Sequence, residues 1–185
     1  DTLGTDFGIT HEDVLASEQF GPSVGNELKM NALKAVIIAS IGMLIYIIFR
    51  FKSWKYGVTA IAGVVHDVLV VIAFYAIFGY TVNNPFIAAI LTLVGYSIND
   101  TIVIFDRIRE NKAIHTKNNN EANIDLSINQ TLNRTIMTSL TTLVVMIPLC
   151  IMVSSAIREF IIPLMVGVIV GCYSSIFICS PLYYD

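Results

Sequence analysis

Pro85-Phe-Ile-Ala-Ala-Ile-Leu-Thr-Leu-Val-Gly-Tyr-Ser-Ile-Asn-Asp-Thr-Ile-Val-Ile-Phe105 is the stretch whose reading decides the fold. A helix needs about 20 mostly apolar residues, rising 1.5 Å each, to cross roughly 30 Å of hydrocarbon. This stretch has that length, and Pro85 at its first turn, after the cap-like Asn84, marks a helix start. Four other stretches share its character, at approximately 32–49, 57–77, 135–153 and 160–180. A closed β-barrel is the other structure that can span a membrane, but it shows short alternating segments rather than continuous apolar runs. The sequence therefore predicts an all-α membrane protein with five transmembrane helices.

Composition agrees with that reading. Of 185 residues, 55% are hydrophobic and only 14% charged, against about 25% charged in a typical soluble chain, and mean hydropathy is +0.72. A soluble domain, a coiled coil and a disordered chain are excluded. The net charge of −3 averages unlike regions: residues 1–28 hold six acids (Asp1, Asp6, Glu12, Asp13, Glu18, Glu27) and no Lys or Arg. Nucleic-acid binding has no support. The expected organisation is the end of an extracytoplasmic domain over 1–28, followed by a helix bundle over 29–185 with a loop at about 106–134. A chain beginning with this acidic stretch reads as a segment of a longer protein.

Orientation follows from Lys and Arg in the connections. The 50–56 loop holds Arg50, Lys52 and Lys55, and the 106–134 loop holds Arg107, Arg109, Lys112, Lys117 and Arg134. The opposite side offers only Arg158, while Lys29 and Lys34 can snorkel outward from the first helix. The 50–56 and 106–134 loops are expected to be cytoplasmic, and residues 1–28 outside. Phe49, Phe51, Trp54, Tyr56, Tyr183 and Tyr184 read as an interfacial aromatic belt. Pro148 is expected to loosen the outer end of the fourth span, and Pro163 to lie near the start of the fifth.

Ionisable groups inside spans cost roughly 2.5–3.5 kcal/mol on insertion scales, which makes them functional candidates facing the bundle interior. Asp100, beside Asn99, is the strongest: 15 residues after Pro85, it lies about 22 Å along its helix. Thr92, Tyr96, Asn99 and Val103 recur on its polar side. Arg134 opens the fourth span, and Thr138, Thr141 and Thr142 continue its face. That helix and the one carrying Asp100 run in opposite directions, so the two charges approach the same membrane side. A guanidinium beside a carboxylate favours the ionised carboxylate, which is the chemistry of a proton-driven latch; the alternative is an ordinary snorkelling arginine. His66-Asp67 lies near the bilayer midplane, with either a proton path or an interhelical hydrogen-bonded pair as its role, and Asp67 is the stronger candidate. Gly167-x-x-x-Gly171, with Ser174 and Ser175, offers a small-residue face for close helix packing. Cys150, Cys172 and Cys179 lie in apolar stretches without metal spacing. No catalytic triad, phosphate loop or metal cluster is seen, so no enzyme activity, metal or cofactor is expected. The only coupling ion in this reading is the proton.

Val94-Gly-Tyr-Ser-Ile-Asn-Asp-Thr-Ile-Val-Ile-Phe-Asp-Arg-Ile-Arg-Glu-Asn111 resembles the signature of the SecF family, the smaller half of the bacterial SecD–SecF protein-export complex. Gly21-Pro-Ser-Val-Gly-Asn-Glu-Leu28, Ala62-Gly-Val-Val-His-Asp67, Asn133-Arg-Thr-Ile-Met-Thr-Ser139 and Gly171-Cys-Tyr-Ser-Ser-Ile-Phe177 resemble further family segments in the same order. The resemblance implies spans two to six of a six-span half of a resistance-nodulation-division type transporter, completed by SecD, separate or fused. It implies a bacterial inner-membrane location and partners in SecD, the SecYEG channel, exported preproteins and membrane lipid. It also implies a proton path through Asp100 and Arg134, used to drive export or release of preproteins. A proton-coupled small-molecule or lipid exporter of the same superfamily, and a non-transporting scaffold, are the alternatives.

Overall fold

The computed structural model of the chain describes residues 22–114 and 120–184. The acidic stretch 1–21 and the tip of the polar connection, 115–119, lie outside the described residues. The helices are α1 Pro22–Phe51, α2 Trp54–Phe78, α3 Asn84–Ile114, α4 Asn120–Met152, α5 Ser155–Ser174, then a π turn Ser175–Cys179 and the short α6 Ser180–Tyr184. All five expected spans are present as helices long and apolar enough to cross a membrane: Leu33–Phe51, Trp54–Phe78, Asn84–Ala113, Glu121–Met152 and Ile157–Tyr184. No strand occurs among the described residues. The chain is a multi-pass helical membrane protein.

α3 and α5 form the centre of the bundle and carry its most buried spans, whereas α1 and α4 are mostly exposed along theirs. Two apolar clusters divide the interior. One gathers Ile47, Phe51, Tyr56, Val64, Ile98, Phe105 and Ile108 at the Lys/Arg-rich end. The other gathers Val71, Tyr75, Phe86, Ile90, Leu93 and Leu164 toward the opposite end. Half of the expected aromatic belt proves to be core. Tyr56 stacks between Phe51 and Tyr183 at centroid distances of 4.9 and 4.4 Å, with Phe105 edge-on at 5.1 Å. Phe49, Trp54 and Tyr184 stay exposed, as a belt requires.

Local chemistry accounts for the helix ends. α2 stops at Gly79, whose φ of 70° is open to glycine at no steric cost, and its N–H returns to the Tyr75 carbonyl. Lys52 takes a φ of 54° to let α1 turn into α2. The cap of α3 is Asn83 rather than Asn84: its Oδ1 accepts the Phe86 N–H at 3.1 Å, and its amide donates to Glu159 on α5. Pro163 lies well inside α5 instead of at its start. Having no N–H, it leaves the Glu159 carbonyl without its helical donor, and the buried Tyr75 hydroxyl supplies one at 3.1 Å. Arg158 closes the far end of α4 by donating to the Cys150 carbonyl at 3.0 Å, a favourable place for a cation at a helix C-terminus.

The expected loop at 106–134 is largely helix. α3 runs on to Ile114 and α4 begins at Asn120, and their polar extensions pair with one another. Asn111, buried, donates to Ser127 at 2.7 Å and to Gln130 at 3.0 Å. Arg107 donates to Gln130 and to Glu110, each at 2.6 Å.

Candidate functional site

Two buried aspartates lie on different sides of α3, and they are built differently. Asp67 projects from the middle of α2 with no exposure at all. Its Oδ2 accepts Ser97 of α3 at 2.5 Å and Ser174 of α5 at 2.9 Å, and its Oδ1 faces His66 Nδ1 at 3.1 Å. Each carboxylate oxygen is thus partnered, and one side chain joins three helices. Gly171 makes room for this: a Cβ there would lie 3.3 Å from the Ser97 Cβ and 3.6 Å from Asp67 Oδ2. One turn earlier, a Cβ at Gly167 would run into the Leu93 side chain. The small-residue face of α5 therefore lies close against α3.

Asp100 is 3% exposed, and its Oδ2 has no hydrogen-bond partner among the described residues. The buried hydroxyls of Thr135 and Ser139, one turn apart on α4, also lack partners among the described residues. Ser139, Arg134 and Asn99 are the neighbouring groups whose polarity and charge act on the Asp100 carboxyl. Leaving a buried polar group unpaired costs about 1–3 kcal/mol, so each of these groups marks a place where the fold gives up stability.

Arg134 is exposed and lines a cleft of about 900 Å³ at the Lys/Arg-rich end, together with Arg50, Ile102, Val103, Asp106, Arg107 and Gln130. It shares no ion pair with Asp100: among the described residues the ion pairs are Arg50–Asp106 at 2.9 Å, His66–Asp67, Arg107–Glu110 and Arg109–Asp106 at 3.2 Å. Asp100 and Arg134 thus stand on neighbouring helices at the same side of the bundle, within electrostatic reach but out of contact. The guanidinium is open to the cleft, and the carboxyl sits deeper.

The polar face of α4 is turned from where the threonine spacing puts it. Ser127, Thr131, Thr135 and Ser139 face the bundle, while Thr138 and Thr141 are exposed and bond back to carbonyls of their own helix. Thr142 bridges the two sides, lying 3.1 Å from the Tyr96 hydroxyl. The buried stripe is visible in the sequence as hydroxyl residues every fourth position, but counting from the charge at 134 selects the other row. Asn99 is exposed beside buried Asp100, and His66 is partly exposed beside buried Asp67.

A helical bundle whose spans enclose two carboxylates, one fully partnered and one not, belongs to the class of polytopic membrane proteins with an ionisable interior. Comparison with known proteins makes this specific. Residues 4–185 match the family described as protein export membrane protein SecD/SecF, C-terminal, and the chain belongs to that family. The protein translocase subunit SecF of Sebaldella termitidis is 48% identical over 173 residues, covering 93% of this chain and 56% of that protein. The subunit SecDF of Thermus thermophilus is 47% identical over 169 residues, covering 91% of this chain and 23% of that one. Among solved structures, a crystal structure of SecDF in a super-membrane-facing form superposes with a TM-score of 0.80 at 40% identity, over 98% of this chain and 24% of that chain. The crystal structure of SecDF from Thermus thermophilus gives 0.81 at 46% identity, over 88% and 22%. The chain spans about half the length of the SecF relatives it matches and about a quarter of the SecDF chains.

Proposed function

We propose that this chain is the membrane half of a SecF-type translocase subunit, and that with SecD, separate or fused, it uses the proton-motive force to promote preprotein export beside the SecYEG channel. Membership of the SecD/SecF family supports the export role. One observation supports the coupling: Asp100 lies buried with an oxygen that has no partner among the described residues, beside Ser139 and within reach of the charge of Arg134, which lines the cleft. The location is the bacterial inner membrane, with residues 1–28 outside and the 50–56 and 106–134 connections cytoplasmic.

In this mechanism Asp100 carries the proton. Ionised, the carboxylate is drawn toward the Arg134 charge on α4; protonated, it loses that attraction, and α3 and α4 are free to shift against each other. Thr135 and Ser139 offer hydroxyls that accept from the protonated form and donate to the ionised one. The cleft lets the proton leave beside Arg134. One charge crossing 100 mV is worth about 2.3 kcal/mol, enough to bias a two-state element whose forms differ by that amount. Asp67, with both oxygens engaged, is the fixed point about which the helices are held, and His66 completes its bonding.

The test is Asp100→Asn in the full complex. Proton-dependent export should fall to the level seen without a proton gradient. Export that still rises with the gradient removes the residue from the mechanism.

A further inference from the structure

We infer that the π turn Ser175–Cys179 is a positioning element that fixes the rotation of α3, and through it the direction in which Asp100 points. This rests on the reading of Asp100 as the proton-carrying group. Single π turns insert one residue into an α-helix and recur at functional places. Here the insertion sets residues five apart over one another: Ser175 and Ser180 are both fully buried, and the Ser180 hydroxyl donates to the Ser175 carbonyl at 3.0 Å. Ser174 and Ser175, adjacent in the chain, are each drawn to a different helix. Ser174 donates to Asp67 on α2 at 2.9 Å, and Ser175 shares a hydrogen bond with Thr101 on α3 at 3.0 Å.

Thr101 directly follows Asp100. Ser97, one turn before Thr101, is held by Asp67 at 2.5 Å. Two anchors at i and i+4 on one side of α3 leave it no freedom to turn about its axis. Asp100, about 100° round from Thr101, is thereby set toward Ser139 of α4. A regular α-helix through residues 174–180 would shift Ser180 and Cys179 out of register with Ser174, and the Thr101 anchor would lose its partner or its backing. Cys179 completes the packing, 3.9 Å from the Thr101 hydroxyl and 3.8 Å from the Thr59 carbonyl. The Ser175 and Thr101 hydroxyls bond to each other and do not line the cleft, so any effect they have on the carboxyl acts through the helix.

The charged and titratable groups around this stretch are Arg134 on α4, Asp67 and His66 on α2, and Cys179 at the end of the turn itself. The experiment leaves all four in place. In the full complex reconstituted in lipid, the Asp100 carboxyl band is followed against pH by infrared difference spectroscopy, with Asp100→Asn as the control that lacks it. Thr101→Val and Ser175→Ala should each move the midpoint of that band by about 0.5 pH unit or more. The double variant should move it no further than the larger single change, because both remove the same bond. Thr101→Ser, which keeps the hydroxyl, should restore the parent midpoint. A parent band that titrates, with both single variants coinciding with it, overturns the positioning role alone. A parent band that does not titrate overturns the reading of Asp100 as well.

Discussion

Replacing Tyr75 by Phe removes one hydroxyl, and its cost depends on a proline far along the chain. The Tyr75 hydroxyl donates at 3.1 Å to the Glu159 carbonyl, which has no helical donor because residue 163 is proline. Tyr75 is 3% exposed but lines, with Glu159, a cavity of about 200 Å³, so the freed carbonyl is only partly shielded from water. Tyr75→Phe should therefore destabilise the bundle by about 1–2 kcal/mol, the range for a partly buried acceptor left unpaired. In a Pro163→Ala background the backbone regains an N–H at position 163, four residues past Glu159, and that N–H supplies the missing bond. There the same Tyr75→Phe change should cost only about 0.5 kcal/mol, giving a coupling of roughly 1 kcal/mol in a double-mutant cycle. Equilibrium unfolding of the four proteins in mixed detergent measures each corner. If Tyr75→Phe costs the same in both backgrounds, the Glu159 carbonyl does not depend on Tyr75, and this explanation of how the bundle tolerates Pro163 fails.

Gly167→Ala should lose about 1–3 kcal/mol, because the new methyl meets the Leu93 side chain, itself 1% exposed, which must shift within a packed core to admit it. Gly95→Ala, with nothing within 4 Å of its added Cβ, should be neutral or gain up to about 1 kcal/mol of helix propensity, and thermal unfolding separates the two. Asp67→Ala strands the donors of Ser97, Ser174 and His66 together and should lower stability by about 2–4 kcal/mol. Unfolding indistinguishable from the parent's would show that Asp67 does not hold the three helices.

Much of this fold is written openly in the sequence, because hydrocarbon leaves few choices. Each span must be a long apolar helix, and all five are. Asp100 is legible for the same reason: a carboxyl in that setting is costly, so it stands out. What lies hidden depends on contacts between segments. The stretch 106–134 is polar and reads as a loop, but Asn111, Ser127 and Gln130 satisfy one another across α3 and α4 and carry both helices onward. Tyr56 and Phe51 look like interfacial aromatics until Tyr183, 127 residues beyond Tyr56, stacks against that ring. On α4 two hydroxyl rows compete, and only packing chooses Thr135 and Ser139 over Thr138 and Thr141. The π turn leaves no mark in composition; it follows from Ser174 and Ser175 each having a partner on a different helix.

Proton flux gives the most direct check on the central claim. Vesicles holding the full complex, with a pH-sensitive dye inside and an imposed membrane potential, should take up protons in step with export. Asp100→Asn should abolish that uptake, while Gly95→Ala leaves it unchanged. Uptake by the Asp100→Asn complex at the parent's rate would contradict the account, because the proton would then be crossing without the buried carboxyl.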